Sequence, residues 1–259
     1  HRDLHKEYRR QRQMCIRDSS NMGRAFEFRK ARKMKRWSNM SKTFTRIGRE
    51  IIIAVKESGP DPSSNSRLRA IIQNAKAANM PKDNIERAIK KASEKSSENF
   101  KEVLLEGYAP NGIAILVEAA TDNNNRTVAN IRSYFNKCDG SLATSGSVDF
   151  LFDHLCFFQI KDEGIDIEEL ELELIDFGVI ELNKSENEIS ITAKFEDFGS
   201  IQKELERRQL EISSSEFERE AKINKTLPED ERLKVERLIN MIDEDEDVQN
   251  VYHDMKTID

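Results

Sequence analysis

Six basic side chains crowd the nine-residue stretch "FRKARKMKR": Arg29, Lys30, Arg32, Lys33, Lys35 and Arg36. Beyond it Lys42, Arg46, Arg49 and Lys56 are spaced 4, 3 and 7 apart, which puts them on one face of a helix. Arg67, Arg69, Lys76 and Lys82 continue the series to the corner "KAANMPKDNIERAIKK". Cations in this density suit a phosphate backbone, because each neutralised phosphate releases condensed counterions. No Asn/Gln/Arg set for reading base edges stands out, so the pattern favours backbone or shape recognition over base readout.

The net charge of -6 conceals a partition. Residues 22–98 hold 19 Lys+Arg against 8 Asp+Glu, and residues 99–259 hold 17 against 37. A basic module joined to an acidic remainder points to a polyanionic partner. The intramolecular alternative is that the basic part docks on the acidic part.

Other chemistry is thinner. "GYAPNG" has two glycines at phosphate-loop spacing but lacks the Lys-Ser/Thr that completes such a loop, so it is a turn. "TDNNNRT" leads into a helix, where Asn125, Arg126 and Thr127 form a candidate anion site, with Asn125 or Thr127 as a plain cap the alternative. "SLATSGSV" fits a phosphate contact or a loop into a strand equally well. His154 and His253 are isolated, with no second metal-like partner in sequence. Cys138 has no placed His to make it a nucleophile. The run "DEDED", 243–247, reads as a solvated face, a hinge or a dock for a basic partner. No catalytic constellation emerges, and no cofactor, metal or small-molecule substrate is expected.

These residues ride on a legible series of elements. "SKTFTRIGREIIIAVKESG" is a helix capped by Ser41, with Phe44, Ile47, Ile51 and Val55 inward and Gly59-Pro60 as its stop. A second helix, "SRLRAIIQNAKAANM", buries Leu68, Ile71, Ile72 and Ala75 and ends before Pro81, which takes the first position of a third helix. The third helix carries a stripe of Ile85, Ala88, Ile89 and Ala92, and its Glu86–Lys90 and Lys90–Glu94 spacings fit an ordinary solvated surface. If Arg46 and Arg49 lie off the apolar stripe, reversing both to Glu should abolish nucleic-acid binding without unfolding the chain.

After the polar linker "SEKSSEN" two strands meet around Asn111-Gly112, a strong hairpin signal. Then come a helix stopped at Gly140, a strand in "SGSVDFLFDH", and the series strand, helix, strand, strand, helix, strand between residues 155 and 219. That is the order of a split βαβ, ferredoxin-like unit. "EELELELID" alternates with period 2 yet is assigned to a helix. A last helix, "PEDERLKVERLINMI", and a strand, "DVQNVYHD", are positioned to return to the first sheet.

The fold class expected is therefore α+β in three domains: an all-helical basic domain over 22–98, a discontinuous α+β domain over 99–153 plus 220–259, and a ferredoxin-like α+β domain over 154–219. Residues 1–21 have no usable period and read as a non-native leader ahead of Met22, a basic arm being the alternative. No run of about 18 apolar residues appears, which excludes a helical membrane span. Three cysteines without a CxxC and no secretory signal suggest a reducing compartment, most simply the cytoplasm.

"NSRLRAIIQNAKAANMPKDNIERAIKKA", "EGYAPNGIAILVEAATDNNNRTVANIRSYF" and "SGSVDFLF" resemble the YebC/PmpR family, which includes the mitochondrial translational activator of cytochrome oxidase. The resemblance covers essentially 22–259. It implies three domains and nucleic-acid contacts at Arg29, Lys30, Arg32, Lys33, Lys35, Arg36, Lys42, Arg46, Arg67, Arg69, Lys76 and Lys82. Many members open with a motif like "AGHSKWxNIKHRK", where this chain has "GRAFEFRKARKMKRWSNM" and keeps Trp37. Members are widely labelled DNA-binding transcriptional regulators, and others act in translation at the ribosome, including on stalled proline-rich stretches. The implied partners are DNA or ribosomal and transfer RNA, with the ribosome as an extension of the second reading. A protein-interaction adaptor without nucleic-acid affinity is the reading from another class.

Overall fold

The computed structural model describes residues 40–94, 99–185 and 187–256. Thr45–Asp259 forms one compact unit, and the basic stretch 29–36 lies outside the described residues.

Helix α1 (Met40–Ser58) contains Ser41 rather than being capped by it. Five consecutive residues, Ile51 to Val55, are buried, so this helix is enclosed on all sides there before Lys56, Glu57 and Ser58 emerge at its end. Gly59 ends it in the left-handed region, at φ 89, and donates its N–H to Val55. Asn65 is the cap of α2 (Ser66–Ala77). Its Oδ1 accepts from the Leu68 N–H at 2.9 Å, and its Nδ2 donates to the carbonyls of Ala54 and Gly59. One buried amide thus fixes the angle between two helices. Asn79, at φ 57, turns the chain out of α2, and Pro81 occupies the cap of α3 (Lys82–Ser93), one position before the first helical one.

β1 (Lys101–Ala109) and β2 (Ile113–Thr121) form a hairpin about Asn111 and Gly112, both at positive φ. α4 (Asn124–Lys137) and the two-residue β3 (Ser141–Leu142) follow. Asp139, not Gly140, takes the left-handed conformation that ends α4. Gly140 is needed for close approach: a Cβ there would lie 2.8 Å from the Tyr108 carbonyl oxygen.

The second sheet runs β4 (Phe152–Lys161), α5 (Ile167–Leu174), β5 (Val179–Lys184), β6 (Glu188–Lys194), α6 (Phe198–Arg207) and β7 (Ile212–Ala221). Its strand order is β5-β6-β4-β7, antiparallel throughout, with the βαββαβ element order of a split βαβ unit. The alternating "EELELELID" becomes helical because Asp166 caps it, accepting from Glu168 and Glu169, and because Leu170 and Leu174 share the buried side. "SGSVDFLFDH" is only partly a strand. Asp149–Leu151 is a 3-10 turn and extension begins at Phe152.

α7 (Glu229–Asp243) leads to β8 (Val248–His253), which runs antiparallel to β2 and completes a first sheet of order β3-β1-β2-β8. α4 and α7 cover one face of it, placing Ile131, Phe135, Val235, Leu238 and Ile242 on Ile113, Ile115, Val117, Val248 and Val251. Phe135 is fully buried and crosses Gly107, where a Cβ would come within 2.6 Å of its ring. Burial of such a side chain contributes about 1.5–3 kcal/mol. A separate core lines the second sheet, from Cys156, Phe158 and Ile160 to Ile201 and Leu205.

Candidate nucleic-acid interface

The predicted cations divide sharply. Arg46 donates through one Nη to both the Asp243 carbonyl, at 2.9 Å, and its carboxylate, at 3.1 Å. Arg49 donates to the carbonyls of Ala120 and Glu246 and to Asp247 Oδ1, and lies over the Phe100 ring. Their side chains are only 14% and 13% exposed, which overturns the expectation that reversing them would leave the fold intact. Arg67 bridges Glu57 and Glu102, and burial, which lowers its pKa, is outweighed by those two carboxylates. Arg69 clasps Glu206 with Nε and Nη2 while Nη1 donates to the carbonyls of Pro62 and Ser63. These four arginines fasten α1 and α2 to both sheets, which is the intramolecular docking of basic part on acidic part.

The acidic run 243–247 is the receiving surface. Asp243 takes Arg46, and Asp247 takes Arg49 and Arg126. Asp245 accepts from the Tyr134 hydroxyl at 2.9 Å and from Asn130. Burial, and then the Asp245 carboxylate, push the Tyr134 phenol up to about 12.

The candidate anion site at Asn125, Arg126 and Thr127 is filled from within. Asp247, with 5% of its side chain exposed, accepts from Arg126 Nη2 at 2.9 and 3.1 Å and from the Thr127 hydroxyl at 2.8 Å. Asn123 is the cap of α4, accepting from the Arg126 N–H, so neither Asn125 nor Thr127 is. Burial pushes the Asp247 carboxyl up, but Arg126, Thr127 and Arg49 together hold it below the usual range. The hydroxyl-rich loop behaves likewise. The N–H groups of Gly146, Val148 and Asp149 converge on the buried Glu106 carboxylate at 2.6, 2.6 and 2.9 Å. Burial raises that carboxyl and the backbone donors outweigh it, leaving it lowered. Both sites with the geometry to hold a phosphate hold a side-chain carboxylate of this chain.

Free positive charge lies at the end of α2 and along α3. Lys76 is exposed, and Lys82 makes only an exposed pair with Glu86 at 3.3 Å. Arg87 and Lys90 are exposed on α3, and with Lys76 they have no carboxylate partner among the described residues. Sequence reasoning passed over Arg87 and Lys90 because Glu86–Lys90 spacing suggested mutual neutralisation, whereas Glu86 pairs backwards with Lys82. Their offset from the Ile85–Ala92 stripe was the available signal. Lys42 belongs to the unit that ends at Phe44.

The remaining reactive types are placed in packing roles. His154 stacks on Phe195 at 3.9 Å, Cys138 Sγ lies 3.7 Å from Met241 Sδ, and burial lifts the Cys156 thiol to about 12. Among the described residues no group of three or more His, Cys, Asp or Glu side chains is arranged to hold a metal ion, and no helix is long and apolar enough to cross a membrane.

Two antiparallel sheets fastened by arginines to basic helices define a mixed α+β protein. Residues 24–95 match the family model for the TACO1/YebC protein N-terminal domain, and 100–255 match that for the TACO1/YebC second and third domain. The chain belongs to the TACO1/YebC family. It is 68% identical over 235 residues to a probable transcriptional regulatory protein of Flavobacterium johnsoniae, covering 91% of this chain and 99% of that one. A protein of the same description from Porphyromonas gingivalis is 58% identical over 236 residues, covering 91% and 98%. Among solved structures, a conserved hypothetical protein from Aquifex aeolicus superposes with a TM-score of 0.69 at 37% identity, covering 83% of this chain and 90% of that one.

Proposed function

We propose that this protein is a non-enzymatic, nucleic-acid-binding regulator of gene expression, and that it contacts the phosphate backbone of DNA as a transcriptional regulator. The observation that carries the reading is the trio Lys76, Arg87 and Lys90, exposed and uncompensated among the described residues, in a chain that neutralises Arg46, Arg49, Arg67 and Arg69 internally. In this reading Arg29, Lys30, Arg32, Lys33, Lys35, Arg36, Lys42 and Lys82 are further phosphate contacts, while Arg46, Arg49, Arg67 and Arg69 fasten α1 and α2. The names of the relatives, probable transcriptional regulatory proteins, support a regulatory role. The organisation we infer is three modules, the basic helices, the first sheet with its returning helix and strand, and the split βαβ unit.

A second reading, a ribosome-associated translation factor that grips ribosomal or transfer RNA, is favoured by one feature. The exposed cations lie at the end of α2 and along α3 with no row of base-reading side chains among the described residues, which suits shape recognition of an RNA backbone.

The test is a salt titration of full-length protein binding to a DNA duplex and to a ribosomal RNA fragment, with K76E/R87E/K90E as the variant. If the trio makes three phosphate contacts, the variant should lose about 2.7 from the magnitude of the log-affinity against log-salt slope on duplex DNA. An unchanged slope removes these cations from the interface. Preference for the RNA at physiological salt would select the translational reading.

A further inference from the structure

The contact between α2 and the second sheet is built unlike the cores on either side of it. Of the described α2 residues only Ala70 joins the second sheet's apolar core, while Leu68, Ile71 and Ala75 are buried away from that cluster. Polar side chains hold this seam at two places. Asn74 donates through Nδ2 to the Ser215 carbonyl and accepts from the Ser215 N–H at 3.0 Å, capping the open edge of β7 in place of a further strand. Arg69 clasps Glu206 of α6 at the margin.

Between these contacts lie buried groups with no hydrogen-bond partner: Gln73 Oε1, both amide atoms of Gln202, and Ser215 Oγ. Gln73 is one turn beyond Arg69 in α2, and Gln202 is one turn before Glu206 in α6, so both belong to the same seam. Gln202 and Ser215 are each 1% exposed. Such groups destabilise the closed arrangement and regain water when the seam opens.

The opposite end of β7 is held differently. Phe152 and Ala221 are paired in register where the chain enters and leaves the second sheet, and the Lys222 N–H donates to Leu151 at 2.9 Å. Arg219 ties this end to the first sheet through Glu118, at 2.9 Å, and to Asp149, at 2.6 Å. Ser215 stands six residues up the strand from Ala221, about 20 Å away at strand rise. That is the layout of a lever with its pivot at Arg219 and its catch at Asn74.

We propose that the 152–221 body swings away from α2 about the Arg219 junction, opening the Gln73–Gln202–Ser215 seam while both sheets stay intact. Interfaces inside one chain that contain unpaired polar groups permit such motion more readily than continuous apolar cores do. The inference does not depend on which polyanion the α2 and α3 cations bind.

Residue-resolved hydrogen exchange on the full chain tests it. The Ser215 amide should exchange through an opening that leaves the β4 amides protected. Replacing the unpartnered amides, in Q73L/Q202L, should slow Ser215 by about tenfold, because an apolar seam loses its reason to open. Asn74→Ala removes the acceptor of the Ser215 N–H itself, so its readout is β4, which should stay as protected as in the parent. Equal or faster Ser215 exchange in Q73L/Q202L would overturn the proposal. So would an N74A protein in which β4 accelerates as much as Ser215, since the seam and sheet would then open together.

Discussion

The Thr127 hydroxyl donates to the Asp247 carboxylate at 2.8 Å across 120 residues of sequence, and this places a negative charge at the N-terminus of α4. The helix dipole and Arg126 favour an anion there, and the chain supplies its own. Asp247→Asn should therefore destabilise the protein by about 2–3 kcal/mol, because the nearly buried Arg49 loses its counter-charge while the half-exposed Arg126 keeps Asp122. Chemical denaturation of the two proteins at pH 7 measures the difference. An Asp247→Asn protein as stable as the parent would mean that Arg49 and Arg126 are satisfied by water.

Arg49 and Lys76 should respond oppositely to the same change. Arg49→Glu faces Asp247 and forfeits two carbonyl contacts, so we expect a loss of about 3–5 kcal/mol and a Tm lower by ~10 °C. Lys76→Glu lies on an open surface and should stay within about 0.5 kcal/mol of the parent. Calorimetry on both variants separates fastening cations from free ones. Any loss of nucleic-acid affinity in the Arg49 variant then needs correcting for its unfolded fraction.

Acid should loosen the fold through Glu106 and Asp247. Both carboxyls are held below their ordinary values in the folded state, so their contribution is present above the unfolded values near pH 4 and fades as pH falls through the folded ones. Glu106→Gln should lower stability at pH 7 by about 2 kcal/mol, since a carboxylate accepting three backbone N–H groups is replaced by a neutral amide. The same variant should show a flatter decline between about pH 5 and 2. Parallel pH–stability curves for parent and variant would contradict this account of the 146–149 loop.

Gly107 and Phe135 should couple. Gly107→Ala forces a Cβ to within 2.6 Å of the ring and should cost about 1–3 kcal/mol, and Phe135→Ala should cost about 3–5 kcal/mol. In the double variant the clash with the ring is gone, so the sum should fall short of additivity by about 1 kcal/mol. Additive costs would assign the glycine's role to the Ser141 carbonyl oxygen, 2.8 Å away, instead.

What the sequence determined by itself was local. Helical stripes such as Ile47–Ile51–Val55 and Leu68–Ile71–Ala75 place the helices, and Asn111-Gly112 places the hairpin. The βαββαβ order of the second sheet follows from the succession of periods, and the charge partition is simple counting. These signals repeat within a few residues, and the backbone geometry that reads them is equally short in range. Only the tertiary structure decided which cations remain available. Arg46 and Lys76 look alike in sequence, yet one meets Asp243 across 197 positions and the other meets no carboxylate among the described residues. The caps and nests divided in the same way, Asn123 rather than Asn125 capping α4, and Glu106 rather than a phosphate filling the loop at 146–149. A side chain's partner across the fold is fixed by packing of elements distant in sequence, and residue spacing carries no record of it.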